Sequence, residues 1–326
     1  MSAIGEMKIF AGSSGRRLAE KMCSYMGMEI SQSEVITFSE GNIYVKACEA
    51  VRGCDIYLVQ PIGLKPNDEL VEILFWADAF KRASAASVTA IIPYFSYAKA
   101  DKKDEPRVSI RARVCADCME VSGVDRVVTV DLHSPQIQGF FRKPVDNLYA
   151  MPVLCEYIKT LDMKELVVVS PDAGFAKTAR KYAHYLKAEL ALGDKIRRGH
   201  DEKAEIINVI GDVKGKTALI ADDFSLTGGT LVRMAEALKA RGASHVYAAV
   251  THMLFDDKAI RSIEESAIDK LVGMDTVVNP CIGCCSKIKT LSVAPLLAET
   301  VLRIQNRESI SVLFEDVTEN IIKQSW

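Results

Sequence analysis

Apolar runs of strand length alternate with apolar patterns of helical spacing along the whole chain, and this alternation constrains the fold more than any other feature. Candidate strands are MKIFAG, EVITFSE, DIYLVQ, VTAIIPYF, DRVVTVDL, ELVVVSPD, TALIADD, HVYAAVTHML and KLVGMDTVV. Between them stand DELVEILFWADAFKRAS, RARVCADCMEVSG, FAKTARKYAHYLK and TLVRMAEALKARG, with apolar residues near helical spacing and Gly or Ser at several ends. Strands separated by helices pair in parallel and carry the helices on both faces, which predicts an α/β protein. The pattern runs through twice. Each half has an apolar strand ending in an acid plus polar residues, VVTVDLHSPQ in the first and VVVSPDAG and ALIADDFS in the second.

A chain of 326 residues is long for one compact domain and comfortable for two. Domains are expected over 7–149 and 150–304, with the crossover in PVDNLYAMP, between Pro144 and Pro152. The last helical pattern, VAPLLAETVLRIQN, precedes ESISVLFEDV, read as a strand and tail, and residues 305–326 are expected to return to the first domain.

The net charge of −2 gives no support for a broad nucleic-acid-binding surface. No apolar run is long enough to cross a bilayer, and MSAIGEMKIF lacks the apolar core of a signal peptide, so a soluble cytoplasmic protein is expected. Nine cysteines, most of them single within apolar segments, suit reduced core thiols better than a disulfide framework. Cys281, Cys284 and Cys285 begin a metal-like pattern, but the second ligand pair of a closed zinc site is missing.

The segment from Thr217, TALIADDFSLTGGTLVRMAEAL, concentrates chemistry. Ligands of parallel α/β sheets bind beyond the carboxyl ends of the strands, where Asp222 and Asp223 are expected. Thr227, Gly228, Gly229 and Thr230 would then turn into a helix. Glycines allow close backbone approach, and a helix N-terminus presents N–H groups to a phosphate. The acids suit sugar hydroxyls or a magnesium ion. The plainer alternative is a glycine-rich turn with a threonine N-cap. The absence of Gly-Lys-Ser/Thr argues against a Walker A loop.

ADDFSLTGGT resembles the ribose 5-phosphate loop of phosphoribosyltransferase-type proteins. KIFAGSSGRRLAEKM, NDELVEILFWADAFKRASA, DLHSPQIQGFF, PVDNLYA, SPDAG, IGDVKGK, CCSKI and LLAETVLRIQNRESISVLF narrow the resemblance to the ribose-phosphate pyrophosphokinases, or PRPP synthases. It covers nearly the whole chain, in order. The resemblance implies two similar phosphoribosyltransferase-type domains, with ATP on the first and ribose 5-phosphate on the second. The implied reaction is Mg2+-dependent transfer of the diphosphoryl group of ATP to the C1 hydroxyl of ribose 5-phosphate, giving PRPP and AMP.

Carried over residue by residue, the resemblance puts Asp222 and Asp223 on the ribose hydroxyls, with Leu226, Thr227, Gly228, Gly229 and Thr230 around the 5-phosphate. His133 and Asp172 match magnesium-associated positions, and His133 also belongs to the ATP side. For Asp172 a helix N-cap is the plainer role, compatible with the first. Lys195 and Arg197 match a mobile catalytic Lys-x-Arg that neutralises the transferring phosphates; read alone, GDKIRRGHDEK is an exposed charged hairpin. Lys99, Ala100 and Asp101 stand where the family usually has Arg-Gln-Asp, and Phe38, Glu40 and Asn42 where it has an adenine-contacting segment reaching across a subunit interface. Leu226 stands where many members have a third acid. These departures keep open a non-catalytic homologue that assembles with an active synthase. A PRPP-consuming transferase shares the loop but does not account for DLHSPQIQGFF. The resemblance also implies homo-oligomers, built from dimers into hexamers.

Overall fold

The structure, a computed structural model, describes residues 5–196, 205–314 and 317–326. They gather into two compact units. The first contains residues up to Tyr149 with Thr276–Val278 and Val293–Gln324; the second contains Ala150–Asp275 with Asn279–Ser292 and Ser325–Trp326.

The first unit begins with β1 (Met7–Ala11), α1 (Arg16–Met26), the hairpin β2 (Ser33–Thr37) and β3 (Ile43–Ala47), then β4 (Asp55–Val59) and α2 (Pro66–Arg82). β5 (Ser87–Ile92), α3 (Arg111–Ser122), β6 (Arg126–Val130) and β7 (Val145–Leu148) follow. The sheet order is β1-β4-β5-β6-β7, with every pairing parallel. β4, β5 and β6 are buried at all but their first residue, the pattern of strands covered on both faces. α2 has a proline in its first turn, Asp68 and Glu69 at its positive end and Lys81 and Arg82 at its negative end. Its inner face places Trp76 5.2 Å from Phe80, which lies 4.8 Å from Phe10 of β1. The Trp76 indole donates to buried Glu72 at 3.2 Å, so the ring brings no unsatisfied N–H into the core.

The second unit runs through α4 (Met151–Lys159), β8 (Leu166–Ser170), α5 (Ala176–Leu186), β9 (Glu189–Ile196), β10 (Glu205–Ile210), β11 (Thr217–Ser225) and α6 (Gly229–Ala240). It continues with β12 (His245–Met253), α7 (Asp257–Glu265), β13 (Lys270–Met274) and β14 (Ile288–Leu291). The order is β10-β9-β8-β11-β12-β13-β14, parallel except for the antiparallel β9–β10 pair. Its core gathers Val169 of β8, Ile220 of β11, Leu231 and Met234 of α6 and Ile263 of α7.

α8 (Ala294–Asn306) and α9 (Glu319–Ser325) complete the chain. α8 belongs with the first unit, whereas the expected boundary put residues 294–304 in the second. Its Gln305 side chain donates to the Gly5 carbonyl at 2.7 Å and accepts from the Tyr57 hydroxyl at 3.0 Å. PVDNLYAMP is not only a crossover, because its first half forms β7 at a sheet edge. The expected strand in ESISVLFEDV is a 3-10 turn over Ser311–Phe314. Among the described residues, no helix is long and apolar enough to cross a membrane.

Candidate active site

In the second sheet the chain goes from β8 outward to β9 and β10, then returns to the other side of β8 as β11. The order therefore reverses between β8 and β11, and a crevice opens beyond their carboxyl ends at such a switch point. Asp172 follows β8, and Asp222 and Asp223 lie in the last turn of extended chain in β11. Asp222 accepts the Asp223 N–H at 3.0 Å, and Asp223 accepts that of Phe224 at 2.9 Å. Burial, the adjacent Asp223 carboxylate and the charge of Asp172 hold the Asp222 carboxyl well above the usual carboxylate range. Asp172 thus acts electrostatically on the Asp222–Asp223 pair.

The loop after them is tied down by a bond from Leu254 N–H, just past β12, to the Ser225 carbonyl at 3.0 Å. Gly228 caps α6 with φ +67°, a conformation that side chains rarely adopt, and a Cβ there would lie 3.3 Å from Ile263 of α7. The cap is therefore Gly228, not the threonine of the plainer reading. Thr227 instead accepts the Gly229 N–H through its hydroxyl at 3.4 Å. Helix N-termini leave N–H groups without an intrahelical acceptor, and α6 begins here, beside the acids. Leu226 is exposed at the loop's tip. Asp172 accepts the Phe175 N–H at 3.1 Å, closing the turn ahead of α5; the cap position is Phe175 itself.

Lys195 lies in β9 opposite Ile206 of β10, so this part of the charged segment is hairpin strand. Arg197 lies outside the described residues.

In the first unit, the segments beyond the neighbouring strands β5 and β6 come together. Lys99 ends a 3-10 turn that starts at Ser96, with its ammonium 6.0 Å from the centre of the Tyr94 ring. Ala100 is buried. Asp101 accepts from the Ser134 hydroxyl at 2.6 Å, which joins the Lys99–Asp101 segment to exposed His133. Leu132 N–H donates to the Asn147 side chain at 3.0 Å, fixing the β6 turn from β7. Phe38, Glu40 and Asn42 form a second group in the β2–β3 turn, all exposed, with Phe38 N–H bonded to the Asn42 carbonyl at 2.8 Å.

Sequence reading missed two residues. Ser134 sits inside the quoted DLHSPQ, where its partner 33 positions away was not legible. Arg233 looked like one more polar position of a helix, yet its guanidinium lies against Gly229. The cysteine pattern forms no metal centre: all nine thiols are free, Cys285 donates to Glu264 at 2.7 Å, and no group of three or more ligand side chains is arranged for a metal among the described residues.

The N-terminal domain of ribose phosphate pyrophosphokinase matches residues 7–123, and the phosphoribosyl synthetase-associated domain matches 195–315. A ribose-phosphate pyrophosphokinase of Bordetella parapertussis is 47% identical over 310 residues, covering 94% of this chain and 100% of that protein. One of Caldanaerobacter subterraneus is 46% identical over 309 residues, covering 94% and 98%. The crystal structure of phosphoribosylpyrophosphate synthetase from Mycobacterium smegmatis superposes with a TM-score of 0.86 at 36% identity, covering 93% of this chain and 99% of that one. With this likeness in sequence and in fold along nearly its whole length, the chain belongs to the ribose-phosphate pyrophosphokinase family.

Proposed function

We propose that the protein transfers the diphosphoryl group of ATP to the C1 hydroxyl of ribose 5-phosphate, releasing AMP and PRPP. The observation that carries this reading is the pairing, at one switch point, of electrostatically interacting acids with a glycine-capped helix N-terminus. Acids facing sugar hydroxyls and amides facing a phosphate make a site for a phosphorylated sugar.

In the transfer, the C1 oxygen forms a bond to the β-phosphorus, the bond from that phosphorus to the bridging oxygen of AMP breaks, and the hydroxyl proton leaves. Asp222 and Asp223 orient the pentose through its other hydroxyls. The Thr227–Thr230 loop anchors the 5-phosphate, so the C1 hydroxyl is presented at a fixed distance from the anchor. Lys99, Ala100, Asp101 and His133 receive the nucleotide, with Phe38, Glu40 and Asn42 reaching it from the hairpin turn of a neighbouring subunit. Lys195 and Arg197 neutralise charge on the phosphoryl group in transit.

The acid set also fits Mg2+. It offers hard oxygen donors, and burial followed by the neighbouring carboxylates raises the Asp222 pKa; Mg2+ is commonly held by one or two carboxylates plus substrate phosphates and waters. Asp172, with Asp222 or Asp223, would hold it in the second unit, and His133 is the residue proposed to associate with magnesium in the first. Bound with the phosphates, the ion neutralises and orients the diphosphoryl group.

The purified protein with ATP, ribose 5-phosphate and Mg2+ is expected to form AMP and PRPP in equal amounts, measured by chromatography. Binding of both substrates without AMP, across metal and phosphate concentrations, would overturn the reading in favour of a non-catalytic homologue.

A further inference from the structure

Arg233 lies one helical turn after Gly229 on α6. Helical side chains lean toward the N-terminus and cover the preceding turn. The guanidinium accordingly lies over the start of α6. Its Nη1 and Nη2 are 3.2 Å and 3.7 Å from the point where a Cβ of residue 229 would stand, and the Thr227 hydroxyl is 3.5 Å from the same point. Glycine is needed at 229 for a different reason than at 228. Gly228 supplies the left-handed backbone, whereas Gly229 leaves room for the arginine to reach the loop.

This cation has no protein anion among the described residues. Arg233 makes no ion pair among the described residues, and its Nε is buried without a hydrogen-bond partner. Leaving a buried donor of a charged group unsatisfied is unfavourable unless something else completes it. The planar fork of a guanidinium matches two oxygens of a phosphoryl group, and the neighbouring helix N-terminus favours the same charge.

We infer that Arg233 binds the phosphoryl oxygens of the phosphorylated sugar and sets the preference for a phosphorylated over an unphosphorylated pentose. This rests on the proposed ribose 5-phosphate site and adds to it a side-chain cation that the loop motif itself does not contain. Leu226 is consistent with it: an uncharged residue stands in the loop that Arg233 approaches.

The test compares full-length wild-type, Arg233→Met and Arg233→Lys proteins, with circular dichroism checking that each is folded. AMP formation is measured against ribose 5-phosphate and ATP separately, and calorimetry measures binding of ribose 5-phosphate and of D-ribose. Arg233→Met is expected to raise the KM for ribose 5-phosphate by about 10- to 100-fold, the loss of one or two charge-assisted hydrogen bonds. The KM for ATP should shift by less than about twofold, since the effect is on one substrate's phosphate. Affinity for D-ribose should stay the same, so the preference for the phosphorylated sugar falls by the same factor, and Arg233→Lys should recover part of it. An unchanged KM for ribose 5-phosphate in a folded, active Arg233→Met protein overturns the inference, and so does an equal loss for both sugars. If wild-type protein binds ribose 5-phosphate but forms no AMP, the proposed activity fails while the calorimetric ratio still decides the role of Arg233.

Discussion

Asp222 shows how a proposed binding residue sets itself against the stability of its own fold. Its carboxyl is held above the usual range by burial first and by Asp223 and Asp172 next, so the folded protein binds its proton more tightly than the unfolded chain does. The sign follows from linkage: the wild-type protein loses stability as pH rises from the unfolded carboxylate value through the raised folded one. Asp222→Asn cannot ionise. It is expected to unfold at a higher temperature than wild type above that window, with the difference shrinking toward acid pH, while ribose 5-phosphate binding weakens. Thermal unfolding followed by circular dichroism across pH checks this; a difference that does not depend on pH would refute it. At this scale much of the candidate site was legible. Asp222, Asp223 and Thr227–Thr230 lie close together in one short segment, and the acid pair, glycines and threonines announce their chemistry by type. Arg233 was not legible, because its significance comes from the side-chain path over Gly229 and the missing partner at Nε.

Strong elements were read correctly where one residue pattern decided them. β4, β5, β6, β8 and residues 217–221 of β11 are mostly apolar runs buried in the pattern of strands covered on both faces. β3, β7, β9, β10 and β14 escaped the same reading. Among the described residues β3 pairs with β2 alone, and β7, β10 and β14 lie at sheet edges, where pairing needs few buried residues; β9 is interior, but its apolar run is broken by Gly193, Asp194 and Lys195. α8 was recognised as a helix but assigned to the wrong unit, since an apolar helix face does not name the surface that covers it. In the structure it buries Leu296, Leu297 and Val301, and the segment after it buries Leu313 and Ile321. Burial of such side chains contributes about 1.5–3 kcal/mol each, and a domain's net stability is only about 5–15 kcal/mol. A fragment of residues 1–149 is therefore expected to lack cooperative unfolding, and fusing residues 293–324 to it through a flexible linker is expected to restore it. A fragment that melts cooperatively without the fusion would contradict the assignment of α8.

For the whole molecule, the proposed assembly is a homo-oligomer built from dimers, up to a hexamer. The β2–β3 hairpin supports it: Ile36, Phe38 and Tyr44 are 37%, 44% and 42% exposed on a two-stranded element outside the main sheet. Exposed apolar side chains on a hairpin are suited to cover by another subunit. Light scattering is expected to give a mass that is a multiple of 35.9 kDa, and Phe38→Ser with Tyr44→Ser to lower it without loss of secondary structure. A fully active wild-type monomer would rule the assembly out. The amino-acid sequence alone determined the α/β class, the doubled pattern and the chemical character of the candidate phosphate loop, because burial period and residue type are local properties. Only the tertiary structure decided which strands are neighbours, where the β8–β11 switch point brings Asp172 to Asp222, where α8 returns and what Arg233 faces. Those relations join residues far apart in the chain, or depend on the path of one side chain, and neither leaves a periodic trace in the residue order.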